Sequence, residues 1–457
     1  MGNTNYQHFL ICKAIFQQFN KVINLLANFG IHFNKMTEKP KVLIVPGYKL
    51  FPYETGAGVA QYNFIDAIRD HVQLSVLLSS INVHEADRVV LERKWPNVTF
   101  HYWSDSPSIT VIPSIGRRIV NKLNSMIGYE KRDELVERSQ KYQQIHYNIE
   151  NIMLPSPSWM VNGLRELLDS QDFDLVQFDL PINMGLASVV AGRAKTLFVH
   201  HEVKFQRIAT SLIGDEENFE DLLELQRSVE KVELELLESF DAVQVFSPED
   251  KELLKDKLER PIYVCPFALA DSQFIKPQDN ESLERLIFIG SDEHEPNLDA
   301  IQWFIQEWMV DFPKEYNLPI HIIGKWSDEN KLKFTSESVH FEGFVDSLAP
   351  WFRNSALLAP IRSGAGLRTK IMEAMAMSTP VIATKFASQG LGAGENEILF
   401  AETGIECWEQ IKMISEVNKF QLYQKQAFAH AIEYFGMVKS IDKRLNIIDK
   451  TLTTADE

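Results

Sequence analysis

The sequence predicts an α/β protein built from two consecutive doubly wound units, and three observations carry that expectation. From Lys41 onward, short apolar runs alternate with amphipathic helix-forming runs, the pattern of parallel sheets covered on both faces. The alternation stops in a polar, aperiodic stretch at 271–282 and then starts again. With 457 residues the chain is also too long for one ordinary core.

Taken in order, KVLIV is the first strand, GVAQYNFIDAI a helix, QLSVLLS a strand and VTFHYW another. Residues 104–157 lose the rhythm. They are polar, with Pro107, Pro113, Pro155 and Pro157 around a charged segment, and read as an insertion. WMVNGLRELLDS, DLVQFD and TLFVHHE resume the alternation, EENFEDLLELQRSVEKVELELLES makes a long charged helix, and AVQVF and IYVCP complete the first sheet. RLIFIG, NLDAIQWFIQEWM, PIHIIG, VHFEGF, ALLAP and VIAT make up the second. The expected domains are 1–35, an extension; 36–271, a first doubly wound domain; 272–430, a second; and 431–457, a terminal helix.

Two accounts of residues 1–35 compete. HFLICKAIFQQFNKVINLLANFGIHF is broken by Lys13, Gln17, Gln18, Asn20 and Lys21, so it is no uninterrupted crossing of the ~20 residues a bilayer needs. It is either an amphipathic surface helix in peripheral contact with a membrane or sequence ahead of a start at Met36, which the strand beginning at Lys41 favours. Hydrophobic residues make up 45% and charged residues 24%, which excludes a disordered chain. A formal charge of -17 argues against a nucleic-acid partner, which needs a basic face. Cys12, Cys265 and Cys407 are too scattered for a zinc cluster or a disulfide framework, so a cytoplasmic location is the simplest expectation.

Pro360 to Thr384, PIRSGAGLRTKIMEAMAMSTPVIAT, holds the densest chemistry. A strand breaks at Pro360, a glycine-bearing loop follows, and a helix-forming run extends from Leu367 to Met377. Amides at such a helix start have no intrahelical acceptor, and the helix dipole adds to their pull on an anion. Gly364, Ala365, Gly366 and Leu367 stand where those amides should be. Arg362, Arg368 and Lys370 add charge that suits a diphosphate better than a carboxylate. Glu373, four residues after Thr369 on the same face, is placed to accept two hydroxyls of a ribose. A solvated basic patch on an ordinary strand-loop-helix is the bland alternative, and the coincidence of spacing, charges and carboxylate puts the ligand ahead.

GAGLRTKIMEAMAMSTPVIAT resembles the nucleotide-sugar signature of the GT-B glycosyltransferases, and of family 4 within them. PGYKLFPYETGAGVAQYNFIDAI resembles that family's amino-terminal glycine loop, FDAVQVFSPEDKELL its strand and helix before the linker, and RLIFIGSDEHEPNLDAIQWFIQEWM the opening of its donor domain. The likeness runs from about Lys41 to about Leu399 and is poor over 104–157. It implies two Rossmann-like domains facing across a cleft, a nucleotide-diphosphate sugar donor (UDP or GDP), retention at the anomeric carbon, no metal and no cofactor. The acceptor would be a glycan, lipid-linked or polysaccharide-precursor molecule, at the inner face of the membrane where contact is needed. By position, Glu373 would hold the ribose and the amides near Gly364 and Gly366 the diphosphate or sugar. Gly58 would border the phosphates from the first domain. Gly290, at the end of the first donor-domain strand, would contact the donor, and Val345, after Gly343 and Phe344, would lie beside the base.

Two departures stand out. A second glutamate often lies eight positions before the ribose-binding one; here that position is Ala365. An Arg and a Lys often follow the first donor-domain strand; here Ser291 and Asn297 occupy those places, with Arg362, Arg368 or Lys370 to compensate. His200 and His201 end the strand TLFVHHE at the cleft edge, where the resemblance implies a histidine beside the reacting centre, and His200 is the one expected to point inward. Glu202 and Arg207 contact the acceptor or form an ion pair. DFD at Asp172 to Asp174 precedes a strand and reads as a strand-entry turn, not a metal site. Two alternatives remain: a nucleotide-sugar epimerase using Asp179 or Glu202, and a non-catalytic nucleotide-sugar-binding protein, suggested by Ala365.

Overall fold

In the computed structural model the described residues are 38–47, 50–51, 56–79, 83, 85–103, 156, 158–211, 219–279, 281–313 and 317–454. The expected extension at 1–35 and residues 104–155 and 157 of the expected insertion lie outside them. Both sheets belong to one contact unit, Lys41–Glu457.

The first sheet is built from β1 (Lys41–Val45), β2 (Gln73–Ser79), β3 (Val98–Trp103), β4 (Leu175–Asp179), β5 (Lys195–His200), β6 (Ala242–Val245) and β7 (Ile262–Val264). Its spatial order is β3-β2-β1-β4-β5-β6-β7, and every pairing is parallel. With it go α1 (Gly56–Ile68), α2 (Glu85–Lys94), α3 (Ser158–Ser170), α4 (Ala187–Val190), α5 (Lys204–Ser211), α6 (Phe219–Leu237) and α7 (Pro248–Leu254). Strands β4 and β5 are buried almost throughout, because helices on both faces leave a parallel strand no polar side. The Asp172–Asp174 stretch is a strand entry, where Asp174 accepts the Lys41 amide at 2.7 Å.

The second sheet holds β8 (Arg285–Ile289), β9 (Ile320–Ile323), β10 (Val339–Gly343), β11 (Ser355–Ala359), β12 (Val381–Ala383) and β13 (Leu399–Phe400). Its order is β10-β9-β8-β11-β12-β13, again parallel. Its helices are α8 (Glu295–Trp303), α9 (Asp328–Phe334), α10 (Ala349–Phe352), α11 (Thr369–Ala376), α12 (Gly404–Ile414) and α13 (Val417–Phe435). The helix expected over 297–309 is not regular to its end: Phe304–Trp308 form a π turn. An α turn sets residues five apart on different faces, whereas the wider π turn brings the Trp303 and Trp308 rings to 4.9 Å and leaves Phe304 and Trp308 buried.

After α13 the chain breaks at Gly436 and returns to the first sheet as α14 (Met437–Thr453). Its start is tied down by a bridge between Gly436 and Leu269. Arg444 of α14 is only 5% exposed. It donates to the buried Gln244 of β6 and lies 4.3 Å over the Phe64 ring of α1. Arg444 Nε and Gln244 Nε2 have no partner of their own, so this polar pair is only half satisfied. Arg444→Met should leave the Gln244 oxygen buried without a donor and lower stability by about 1–3 kcal/mol. Arg444→Met with Gln244→Leu should recover most of the loss, read as the urea midpoint of each variant; a double variant no better than the single would refute this account.

Candidate active site

In an open parallel sheet the ligand crevice lies outside the carboxyl ends of the strands, where the strand order reverses. Those reversals fall between β1 and β4 in the first sheet and between β8 and β11 in the second. The loop leaving β11 is the Pro360–Arg368 segment, and the loop leaving β8 begins at Gly290. Asp179 ends β4, His200 ends the neighbouring β5, and His201 follows it directly.

The two sides meet directly. Gly364 donates its amide to Thr210 Oγ1 of α5 at 3.1 Å, and a Cβ on Gly366 would lie 3.1 Å from the His201 carbonyl oxygen. Gly364 and Gly366 have φ of 102° and 75°, a region that L side chains avoid. Helix α11 starts at Thr369 rather than Leu367, and Arg368 caps it without a side-chain hydrogen bond. Leu367 packs on the core, and Ala365 sits half-buried between the glycines. The amides of this loop are therefore gathered at the mouth of the crevice, one of them already taken by Thr210.

Three ionisable groups of the expected set converge here. Arg368 is 9% exposed; it donates to the Gly366 carbonyl, lies 4.7 Å over the Phe386 ring, and its Nη2 has no partner. Burial lowers its pKa to about 10, against the pull of Glu202 and Asp250 of the first domain. Lys370 donates to Asn297 at 2.6 Å and faces the Phe288 ring at 4.5 Å. Desolvation, then Arg368, lowers it to about 7, with Glu373 opposing. Desolvation raises Glu373 to about 7 despite Lys370. A cation this costly to bury is suited to an arriving anion.

Other expected residues stand elsewhere. Arg362 is held by Asp299 of α8 at 2.8 and 2.9 Å and stacks on Trp303, so its charge is already neutralised. Gly290 is explained by packing: a Cβ there would strike Asn297, and its carbonyl accepts the Trp326 indole at 2.7 Å. Val345 packs on the core, and it is the adjacent Phe344 that is 83% exposed. Gly58 is buried in the first turn of α1.

The histidine expectation needs correcting. The His200 ring is sealed inside the first domain, its Nε2 2.9 Å from Glu233 Oε1 but not aligned for a hydrogen bond. Alternation along the strand turns the next residue the other way. His201 pairs with the buried Asp179 at 2.9 Å, and its backbone meets the Gly366 loop. Three site groups escaped the sequence: Thr210, Asp250 and His294. His294 caps α8 in the loop after β8, a position at a strand's carboxyl end that could have flagged it. The residue is exposed, yet desolvation, then Arg207, Lys370 and Arg368, lowers its pKa to about 4, with Glu202 opposing. Among the described residues no three His, Cys, Asp or Glu side chains gather as a metal-ligand set.

Residues 284–412 match the family described as Glycosyl transferases group 1. No curated protein sequence is similar enough to count as a match. Three solved structures share the fold over nearly their whole length. Sucrose-phosphate synthase from Thermosynechococcus elongatus is 12% identical, with a TM-score of 0.62, over 91% of this chain and 100% of that one. HepE of Anabaena in complex with UDP-glucose is 12% identical, with a TM-score of 0.58, over 90% and 100%. A mutant of S. aureus TarM, in complex with fondaparinux, alpha-GlcNAc-glycerol and UDP, is 11% identical, with a TM-score of 0.58, over 90% and 100%.

The burden of Lys370 has a measurable sign. Its folded pKa of about 7 lies below its ordinary 10.5, so the folded state is penalised for the proton at low pH and relieved as pH rises from about 7 toward 10.5. Lys370→Met should melt higher than wild type at pH 6, and that advantage should shrink by pH 9; an advantage equal at both would count against a buried charge. With residues 284–412 matching that family and the fold shared along nearly the whole chain, the chain is a glycosyltransferase of the GT-B fold.

Proposed function

We propose that the enzyme moves a sugar from a UDP- or GDP-sugar to a glycan, lipid-linked or polysaccharide-precursor acceptor, in the manner of family 4, with retention and without a metal. The observation that carries the proposal is the convergence of Arg368, Lys370 and Glu373 on the amide-rich loop at the reversal point of the second sheet. Glu373, whose carboxylate makes no hydrogen bond among the described residues, would accept the ribose hydroxyls. The amides of Ala365, Gly366 and Leu367, with Arg368 and Lys370, would take the diphosphate. Gly58 would close on the phosphates from the first domain, and the base would lie near Phe344 and Val345. UDP-glucose in the HepE structure and UDP in that of the TarM mutant support a uridine donor.

In front-face transfer the bond from the anomeric carbon to the phosphate oxygen breaks as the acceptor oxygen bonds to the same face, and the acceptor's proton passes to the leaving phosphate. Fixed cations and amides at that phosphate are where such a site lowers the barrier most. His201, oriented by Asp179, would position the sugar. The epimerase alternative gains nothing from the geometry. Asp179 is fully buried and already holds His201 and Gln177, and Glu202 is engaged by Lys204 and Arg207.

No helix among the described residues is long and apolar enough to cross a membrane; the proposed site of action is the cytoplasm, beside the inner membrane face. The test is thermal stabilisation and slow donor hydrolysis with a panel of nucleotide sugars. One series should stabilise wild type, and Glu373→Ala should bind it about tenfold to a hundredfold more weakly, the range for a hydrogen bond to a charged group. Binding without hydrolysis or transfer would favour the non-catalytic alternative, and no binding at all would overturn the donor site.

A further inference from the structure

Helix α5 of the first domain lies against the donor-side loops. Thr210, near its end, accepts the Gly364 amide at 3.1 Å. One turn earlier on the same face stands Arg207, whose carbonyl accepts the Thr210 hydroxyl at 2.8 Å. The Arg207 guanidinium is held by Glu202 at 3.1 and 3.2 Å. Glu202 itself abuts the loop, its Cβ 3.8 Å from where a Gly366 Cβ would stand. After desolvation, the charge of Arg207 is the strongest influence on His294 of the opposite domain. A first-domain arginine thus sits over the same loops as Arg368 and Lys370, while the two positions after β8 where the resemblance leads one to expect a cation hold Ser291 and Asn297.

We propose that Arg207 is a binding residue for the distal phosphate of the donor, supplied across the crevice, so that the anion site is complete only when α5 lies against the Gly364–Gly366 loop. Glu202 is its positioning residue. Burial alone would raise the Glu202 pKa, but Lys204 and Arg207 outweigh it and keep the carboxylate ionised. In the absence of donor, Glu202 serves the cations as a built-in anion; with donor bound, the phosphate shares them. Arginine suits the task because its planar fork can hold a carboxylate and a phosphate oxygen at once.

This inference rests on the donor site proposed above, and the test separates the two. Binding of whichever of UDP or GDP the wild-type protein takes, and of the matching monophosphate, is measured by calorimetry on wild type, Arg207→Gln and Arg207→Lys, with circular dichroism as a check of folding. Arg207→Gln should lose about tenfold to a hundredfold in diphosphate affinity with monophosphate affinity unchanged, and Arg207→Lys should fall between. Diphosphate affinity equal to wild type would overturn the role of Arg207 while leaving the donor site standing. An equal loss for both nucleotides would show a merely structural arginine. If Arg207→Gln does not fold, Arg207→Lys decides by the same comparison. A wild-type protein that binds neither diphosphate would overturn the donor site and this inference together.

Discussion

Parallel strands must all end on the same side, and at the place where their order reverses the flanking loops diverge and leave a crevice. Each sheet of this protein has one such place, and the loop after β11 meets α5 and the end of β5 between them. Little else about the site is free to vary once that apposition exists. The amides of the Gly364–Gly366 loop must face the crevice, the first turn of α11 must carry its charges there, and His201 must approach on the backbone side of Gly366. Where contact is this close, glycine is required: at Gly366 a side chain would press on the first domain.

The fold was legible because parallel strands write themselves plainly. LVQFD, TLFVH and SALLA are buried along nearly their whole length, and the restart at Arg285 divides one sheet from the next. Site residues were legible where sequence neighbours stay neighbours in space, as Arg368, Lys370 and Glu373 do on one helical start. They were illegible where contact depends on tertiary approach. Thr210 reaches a residue 154 positions away, and Asp250 influences Arg368 from a helix of the other domain. Arg362 lay in the right loop but met Asp299 on α8, a pairing no local pattern announces. His200, the last residue of β5, faces Glu233 on α6, while His201, just past the strand, pairs with Asp179 at the end of β4, and neither partner is a sequence neighbour.

The chain carries a formal charge of -17, yet its crevice concentrates Arg207, Arg368 and Lys370. Gathering like charges in a poorly solvated place is unfavourable, and carboxylates from the first domain relieve it. Glu202 holds Arg207 and Lys204, and with Asp250 it draws on Arg368. These carboxylates belong to the domain opposite Arg368, so the charge balance of the crevice is itself a contact between domains. A ligand that brings its own negative charge competes with that contact and at the same time bridges the same two surfaces.

The absence of basic side chains at 291 and 297 also finds its physical sense here. Asn297 accepts the Lys370 ammonium at 2.6 Å and donates to the Ser291 carbonyl at 3.0 Å. Its side chain fills the space that Gly290 leaves open. A lysine at 297 would set two ammonium groups against each other in a desolvated place and force one to give up its proton. One position can supply the charge only if the other supplies a neutral acceptor. In this chain the cation enters from the start of α11 and the acceptor from α8, so the residue that seemed to be missing from the loop after β8 is the partner that lets Lys370 take its place.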